Sequence, residues 1–304
     1  TSTASAWVTD SAAGMTAIVT GVKTHSGVIS MGPDAVRGKQ DGKALKTILE
    51  YAEQRGLSTG VVTDMSIGDA TPAACYGHAN DRGKQNELFR QIFKPRFGDG
   101  PDVVIGAGRK NVMGANEAVV LQEAKQAGRA IYAQLADAPA SDTRPIVVQS
   151  GGVDVRAAAL HALNLISKNK KGYFLMVEWD SHTDNPKRGL DSLVALDKLI
   201  RELASRPDMK DTLLLFAADH SFELRVTGGK PGQPLLAGWD EWQKSHTSKD
   251  EVRIPALRIG HSHTGEEIVV AAKGPGAERV QGFFPNTRLF QIMLQAWGWK
   301  PDAE

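Results

Sequence analysis

Cysteine is nearly absent from this chain: Cys75 is its one thiol in 304 residues. An internal disulfide is thereby excluded, while a lone thiol leaves the redox compartment undecided. An excess of charge of either sign is missing too. Lysine and arginine number 36 against 35 aspartates and glutamates, a net charge of +1. That balance gives no reason to expect a polyanion such as nucleic acid as partner. No apolar run reaches the roughly 20 residues that a membrane-spanning helix needs. No internal repeat or low-complexity segment interrupts the sequence. An initiator methionine is also lacking: the chain opens Thr-Ser-Thr-Ala-Ser-Ala-Trp, so the absence of a targeting signal excludes nothing. What is present in quantity is apolar content, 41% of 304 residues. That is ample for a large core, in one large domain or two smaller ones.

The stretch Val8-Thr9-Asp10-Ser11-Ala12-Ala13-Gly14-Met15-Thr16-Ala17 reads as the start of a helix that Gly21 stops. Asp10 or Ser11 can cap it. A serine hydroxyl there also sits where free N–H groups and the helix dipole favour an anion. Downstream, apolar residues at helical spacing predict a helix over 43–56, and 58–63 reads as a short buried strand. Pro72 suits the first turn of a helix running from Asp69 toward Arg82. Residues 101–106 read as a strand followed by a turn at Gly106-Ala107-Gly108-Arg109, which makes a turn more readily than a phosphate cradle. Helices are expected over 117–127, 153–167, 190–204 and 286–297. Strands are expected over 145–149, 173–177, 212–217 and 267–272. Apolar strands without alternation, separated by helices, predict an α/β fold in three layers, a mostly parallel central sheet with helices on both faces. The polar, Pro/Gly-marked stretch 222–258 shows little periodicity and reads as an insertion over the core of a single domain spanning 1–304. Trp239 and Trp242 would anchor it.

Ligands of such sheets bind outside the carboxyl ends of the strands. There this sequence gathers chemistry. The strand at 173–177 runs into Glu178, Asp180 and His182; the strand at 212–217 ends in Asp219 and His220; His261-Ser262-His263 precedes the late strand. Carboxylates and imidazoles from three strand ends compose a metal site of nitrogen and oxygen donors. Without thiolates they suit Zn²⁺, and a carboxylate with a hydroxyl suits Mg²⁺. His25, His78, His161 and His246 have no ligand company and read as surface or packing residues. Cys75 reads as a small buried packer. His261 is two residues from His263 and in a strand would point the same way.

Val-Thr-Asp-Ser-Ala-Ala at 8–13, with Thr-Gly-Val-Lys-Thr at 20–24, resembles the nucleophile segment of alkaline phosphatases. Asp-Ala-Thr-Pro-Ala-Ala at 69–74 with Arg82, Phe-Leu-Met-Val-Glu at 174–178, Ala-Asp-His at 218–220 and His-Thr-Gly at 263–265 follow in that family's order. The resemblance covers nearly the whole chain. It implies hydrolysis of phosphate monoesters through a seryl-phosphate at two Zn²⁺ and one Mg²⁺. By resemblance Ser11 is the nucleophile, Asp10 orients the neighbouring arginine, and Arg82 clamps phosphate oxygens. Asp219 and His220 would hold the zinc that binds the serine oxygen, and His263 the other zinc. Thr71 and Glu178 would hold magnesium, with Asp69 behind them. The loop after Glu178 is shorter than the family's. Asp180 and His182 are assigned to the first zinc, with Asp184 as the alternative to Asp180. The family usually begins with a strand ending Gly-Asp-Gly-Met-Gly, whose aspartate bridges two metals. This sequence starts after that element, and it is read as N-terminally truncated rather than as a crippled site. The resemblance also implies small phosphate monoesters and inorganic phosphate as ligands, a homodimer, and a periplasmic or secreted location. A phosphodiesterase or related metal hydrolase, and a catalytically impaired metal-binding fragment, are the competing readings. A sulfatase would need a Cys/Ser-x-Pro-x-Arg setting that Ser11 lacks.

Overall fold

The computed structural model describes residues 1–302. In chain order the elements are α1 (Ser11–Thr20), α2 (Ile48–Gln54), β1 (Ser58–Ser66), α3 (Ala70–Tyr76), α4 (Gln85–Arg90), β2 (Val103–Ala107), α5 (Arg109–Val112) and α6 (Glu117–Gln126). Then come β3 (Ile131–Tyr132), β4 (Ile146–Val148), α7 (Val155–Ile166), β5 (Tyr173–Val177), α8 (Pro186–Ser205) and β6 (Leu214–Ala217). The remainder is β7 (Ser221–Val226), α9 (Trp239–Ser245), β8 (Val252–Arg253), β9 (Leu257–Thr264), β10 (Val270–Lys273) and α10 (Arg288–Ala296).

Local chemistry sets the ends of these elements. Asp10 caps α1 by accepting from Ala13 N at 3.1 Å, and Gly21, at φ +75°, stops it in the left-handed region that glycine enters freely. Helix α2 begins later than the 43–56 periodicity predicts, because Thr47 and Glu50 form a capping box: Thr47 N donates to Glu50 Oε2 at 2.8 Å, and Glu50 N donates to Thr47 Oγ1 at 3.2 Å. Helix α3 stops at Tyr76 rather than running toward Arg82, since Gly77 turns extended. Helix α8 starts earlier than expected, with Pro186 in its first turn and Asn185 accepting from Arg188 N at 3.1 Å.

Strands β3-β4-β2-β1-β5 form a wholly parallel sheet in that order. Val61, Val62, Val103, Val104, Ile105 and Ile146 are completely buried in it, as crossover helices on both faces require. One core lies against α1, α2, α3 and α10, and the opposite one against α7. The structure differs from the single expected sheet beyond β5. Strand β6 pairs only with β10, antiparallel, and among the described residues no ladder joins β5 to β6. The layers nevertheless continue across this interruption. Phe174, Leu213, Leu215 and Ala217 pack on the α1/α10 side. Tyr173, Leu175, Val177 and Leu214 pack with Leu163, Leu199 and Leu203 on the other.

The segment read as an aperiodic insertion over 222–258 is more regular than its sequence suggests. Strands β7-β9-β8 form an antiparallel sheet. Trp239 and Trp242 from α9, stacked with centroids 5.3 Å apart, pack on Val252, Ile254, Leu257 and Ile259 as a small separate core. Its two long strands extend past the expected limits on both sides.

Candidate active site

Strands β1, β5 and β6 and the start of α1 converge at one end of the molecule. Ser11 opens α1 and is 8% exposed. Its Oγ lies 2.9 Å from His220 Nε2. Contact between α1 and the end of β6 needs Gly14: a Cβ there would stand 2.5 Å from the Asp219 carbonyl oxygen. Asp10 has two jobs. While Oδ1 caps α1, Oδ2 accepts from Gly27 N at 2.9 Å and from Arg82 Nη1 at 3.2 Å. Arg82 Nη2 donates to Asp69 Oδ1 at 3.1 Å. Burial lowers the Arg82 pKa, but the Asp69 and Asp10 carboxylates outweigh it and raise the pKa above the usual value. The guanidinium is thus stretched between two carboxylates, with N–H donors to spare.

Glu178 follows β5 and stays tied to β1: its N donates to Val62 O at 2.8 Å and its Oε2 accepts from Thr63 Oγ1 at 2.5 Å. Burial pushes its carboxyl up to about 8, against the hydroxyls of Thr63 and Thr71, with the Asp219 carboxylate adding to the rise. Thr71 from α3 therefore faces the same carboxyl.

Asp180 is held on every side. Its N donates to Asp64 Oδ1 at 2.9 Å; its Oδ1 accepts from His182 N at 3.0 Å and contacts His182 Nδ1 at 2.5 Å; its Oδ2 accepts from Arg188 Nη1 at 2.5 Å. Burial raises the Asp180 carboxyl, but the bonds from His182 and Arg188 prevail and hold it below the usual carboxylate range. His182 is shifted up by its hydrogen bond to Asp180. Asp184, the alternative to Asp180, points instead to Arg188 Nη2, 3.2 Å away, at the surface.

His263 reaches the site from β9, where it pairs with Phe222 of β7. It stacks on His220 with centroids 3.8 Å apart, and the His182 ring lies 5.5 Å from His220 and 6.0 Å from His263. Burial shifts His263 down, and the neighbouring His220 adds to this. His261 does not join them. Between the Phe222–His263 and Leu224–Ile259 pairs the register slips, which breaks the alternation that would have pointed both histidines one way. His261 is exposed and contacts Asp250 O at 3.1 Å.

The donor set fits a divalent cation on three counts. His182, His220 and His263 can each offer a ligand atom within 4.8 Å of the others. Each ring has its Nδ1 engaged, by Asp180 Oδ1, Ser221 O and Thr9 O respectively. That leaves Nε2 as the nitrogen each ring can offer a cation, the usual arrangement behind metal-binding imidazoles. Asp219 Oδ2 is buried without a hydrogen-bond partner, 3.6 Å from His220 Nε2. Such an orphaned oxygen is costly unless something pairs with it.

Sequence reasoning overlooked Thr63 and Asp64, which hold Glu178 and Asp180, and Arg188 and Phe222, which flank His182. The carboxyl end of β1 was the available signal for the first two, since the rule that located the other clusters applies equally there. Nothing local marked Arg188 or Phe222; the Phe222 ring lies 5.0 Å from His182 only because β7 and the 180–182 loop meet in space.

A family model described as alkaline phosphatase matches residues 1–140 and 154–254. The alkaline phosphatase of Escherichia coli K12 is 29% identical over 97% of this chain and 75% of that protein. The streptomycin-6-phosphate phosphatase of Streptomyces griseus is 28% identical over 96% of this chain and 79% of that one. Among solved structures, a histidine-to-aspartate variant of TAB5 alkaline phosphatase with Mg bound is 25% identical, at a TM-score of 0.79 over 99% of this chain and 87% of that one. The alkaline phosphatase of Thermus thermophilus shares the fold at a TM-score of 0.74 and 18% identity, over 99% of this chain and 82% of that one. A match of this extent, laid over a site of this composition, settles the lineage: the chain belongs to the alkaline phosphatase family and is a phosphatase.

Proposed function

We propose that this phosphatase cleaves phosphate monoesters by way of a covalent phosphate on Ser11. The observation that carries the reading is the placement of Ser11 Oγ at the buried N-terminus of α1, 2.9 Å from His220 Nε2. His182, oriented through Nδ1 by Asp180, and His263 would hold one Zn²⁺; Asp219 and His220, beside Ser11, a second; Thr71 and Glu178, with Asp69 behind them, Mg²⁺. Bound there, these cations supply Lewis-acid stabilisation of charge on oxygen.

The protein's own groups do the rest. Free N–H groups of the first turn of α1 and the Arg82 fork hold the non-bridging oxygens. Asp10 and Asp69 keep that fork facing Ser11. Ser11 Oγ bonds to phosphorus as the bond to the departing alcohol breaks, and water then cleaves the seryl-phosphate. One water is consumed, and an alcohol and inorganic phosphate leave. Phosphate monoesters resist hydrolysis so strongly that accelerations can approach ~10²¹. Positioning and electrostatics of this kind must supply most of it. The likeness to a streptomycin-6-phosphate phosphatase supports small-molecule monoesters as substrates. The family resemblance supports a homodimer working in the periplasm or secreted; among the described residues no helix is long and apolar enough to cross a membrane.

Acid quenching of a reaction with a ³²P-labelled aryl phosphate tests the reading. Label is expected on the peptide containing Ser11 and absent from Ser11→Ala, whose turnover should fall by several orders of magnitude. A folded, metal-loaded Ser11→Ala protein that keeps near-native turnover overturns it.

A further inference from the structure

We propose that Arg188 is a positioning residue of this site: acting through Asp180 it fixes the His182 ring, and so sets how firmly the site binds the divalent cation that His182 would hold. The proposal rests on the metal-dependent reading above.

The backbone of Arg188 is fixed against the loop that carries the site residues. Asn185 caps α8 on Arg188 N itself. The next residue, Gly189, lies so close to that loop that a Cβ would stand 2.4 Å from the His182 carbonyl oxygen. From this anchored turn the guanidinium reaches back. Nη1 donates to Asp180 Oδ2 at 2.5 Å and Nη2 to Asp184 Oδ1 at 3.2 Å. The Asp180 side chain is only 6% exposed, whereas that of Arg188 is 47% exposed. Asp180 Oδ1 is already occupied by His182 N and Nδ1. Without Arg188 the buried Oδ2 loses this partner, an expensive state that the carboxylate relieves by rotating. Rotation would release His182 Nδ1, and with it the orientation of a ring that offers a ligand atom within 4.8 Å of those of His220 and His263. The chain of control runs from helix to guanidinium to carboxylate to imidazole.

Arginine suits this task better than lysine. Its planar fork spans two carboxylates at once, while an ammonium is a single flexible point charge. Groups that orient a metal-binding imidazole typically contribute about 10–100-fold in metal affinity. The opposing expectation is that a guanidinium near a dication merely repels it. On that view removal of Arg188 would tighten binding, so the two readings differ in sign.

The test is zinc affinity of the 304-residue chain, measured by competition with a chromogenic chelator, alongside the thermal midpoint of each metal-free protein. Arg188→Ala is expected to bind Zn²⁺ about tenfold or more weakly than wild type, Arg188→Lys to fall between them, and the metal-free midpoints to stay close together. Unchanged or tighter Zn²⁺ binding by folded Arg188→Ala overturns the proposal. Should that variant fail to fold, Arg188→Lys decides, and binding equal to wild type overturns it. A wild-type chain that binds no Zn²⁺ overturns the metal-centre reading itself, whereas wild-type binding that Arg188→Ala leaves unchanged removes only the role of Arg188.

Discussion

Two carboxylates engage one nitrogen each at the outer end of Arg82, Asp10 through Nη1 and Asp69 through Nη2. Such a grip fixes the plane of the guanidinium before any anion arrives, and bidentate recognition depends on that plane. Arg82→Lys keeps the charge but loses both the plane and one anchor. Its KM for an aryl phosphate is expected to rise by about tenfold or more, and inhibition by inorganic phosphate should weaken in step; steady-state kinetics at several phosphate concentrations checks both. A second residue far from the chemistry carries a pH effect. Glu53 accepts from Asp99 N, Gly100 N and Thr59 Oγ1, yet burial first, and the Asp99 carboxylate next, push its carboxyl up to about 8 from an ordinary value of 4.5. The folded protein therefore binds this proton more tightly than the unfolded chain does. The resulting stabilisation is complete below pH 4.5 and drains away as pH rises toward 8. Glu53→Gln keeps an oxygen for the two N–H donors and cannot titrate. Its thermal midpoint is expected to gain on wild type by several degrees between pH 5 and 8.5; scanning calorimetry across that range would show parallel curves if the assignment is wrong.

At the scale of elements, close approach of backbones does what side chains cannot. Helix α1 can offer Ser11 to His220 only because Gly14, one turn on, leaves room for the Asp219 carbonyl. Gly14→Ala would normally favour a helix, since alanine outranks glycine there. Here the added methyl meets rigid backbone. Overpacking of this kind costs about 1–3 kcal/mol, and kcat should fall further than stability alone explains, because the helix carries Ser11 away from the end of β6. Urea denaturation and initial rates on one preparation separate the two effects. Much of this element was legible beforehand: the acid before a serine, the run of small residues and Gly21 mark a capped and stopped helix. Other elements were less so. His78 reads as a surface or packing histidine, and it is the packing alternative that holds: its side chain is buried with Nε2 2.8 Å from Glu50 Oε1 and Nδ1 2.8 Å from Ser30 O, bonds the sequence did not show. Its partners lie 28 and 48 residues away in sequence, brought together by α2 packing on α3, a relation no local spacing carries. His261 illustrates the converse. Period-two alternation was sound for a regular strand, and a register slip in β9 undid it.

For the whole molecule, what matters is that the candidate ligands belong to separate sheets. His263 arrives from the small antiparallel sheet, Asp219 and His220 from the β6/β10 pair, and Glu178 with the 180–182 loop from the edge of the parallel sheet. Among the described residues, β5 and β6 share no backbone ladder, and Asp219 and His220 follow β6 at the polar end of that seam. There Asp219 Oδ2 lacks a partner, and His220 and His263 stack with centroids 3.8 Å apart. A cation bound among them would tie the sheets together as it completes the site, and whatever binds only the folded form adds RT ln(1 + [L]/Kd) to its stability, about 4 kcal/mol at a thousandfold excess over Kd. Dialysis against a chelator is therefore expected to abolish aryl phosphate hydrolysis and also to lower the thermal midpoint by several degrees, with both restored by Zn²⁺ plus Mg²⁺. The loss should be unevenly distributed. Amide hydrogen exchange ought to quicken most in β6, β7 and β9 and least in β1 and β2, whose ladders lie within the parallel sheet. Uniform loss of protection, or activity lost with no change in the midpoint, would mean that the cations serve the chemistry without holding these sheets together.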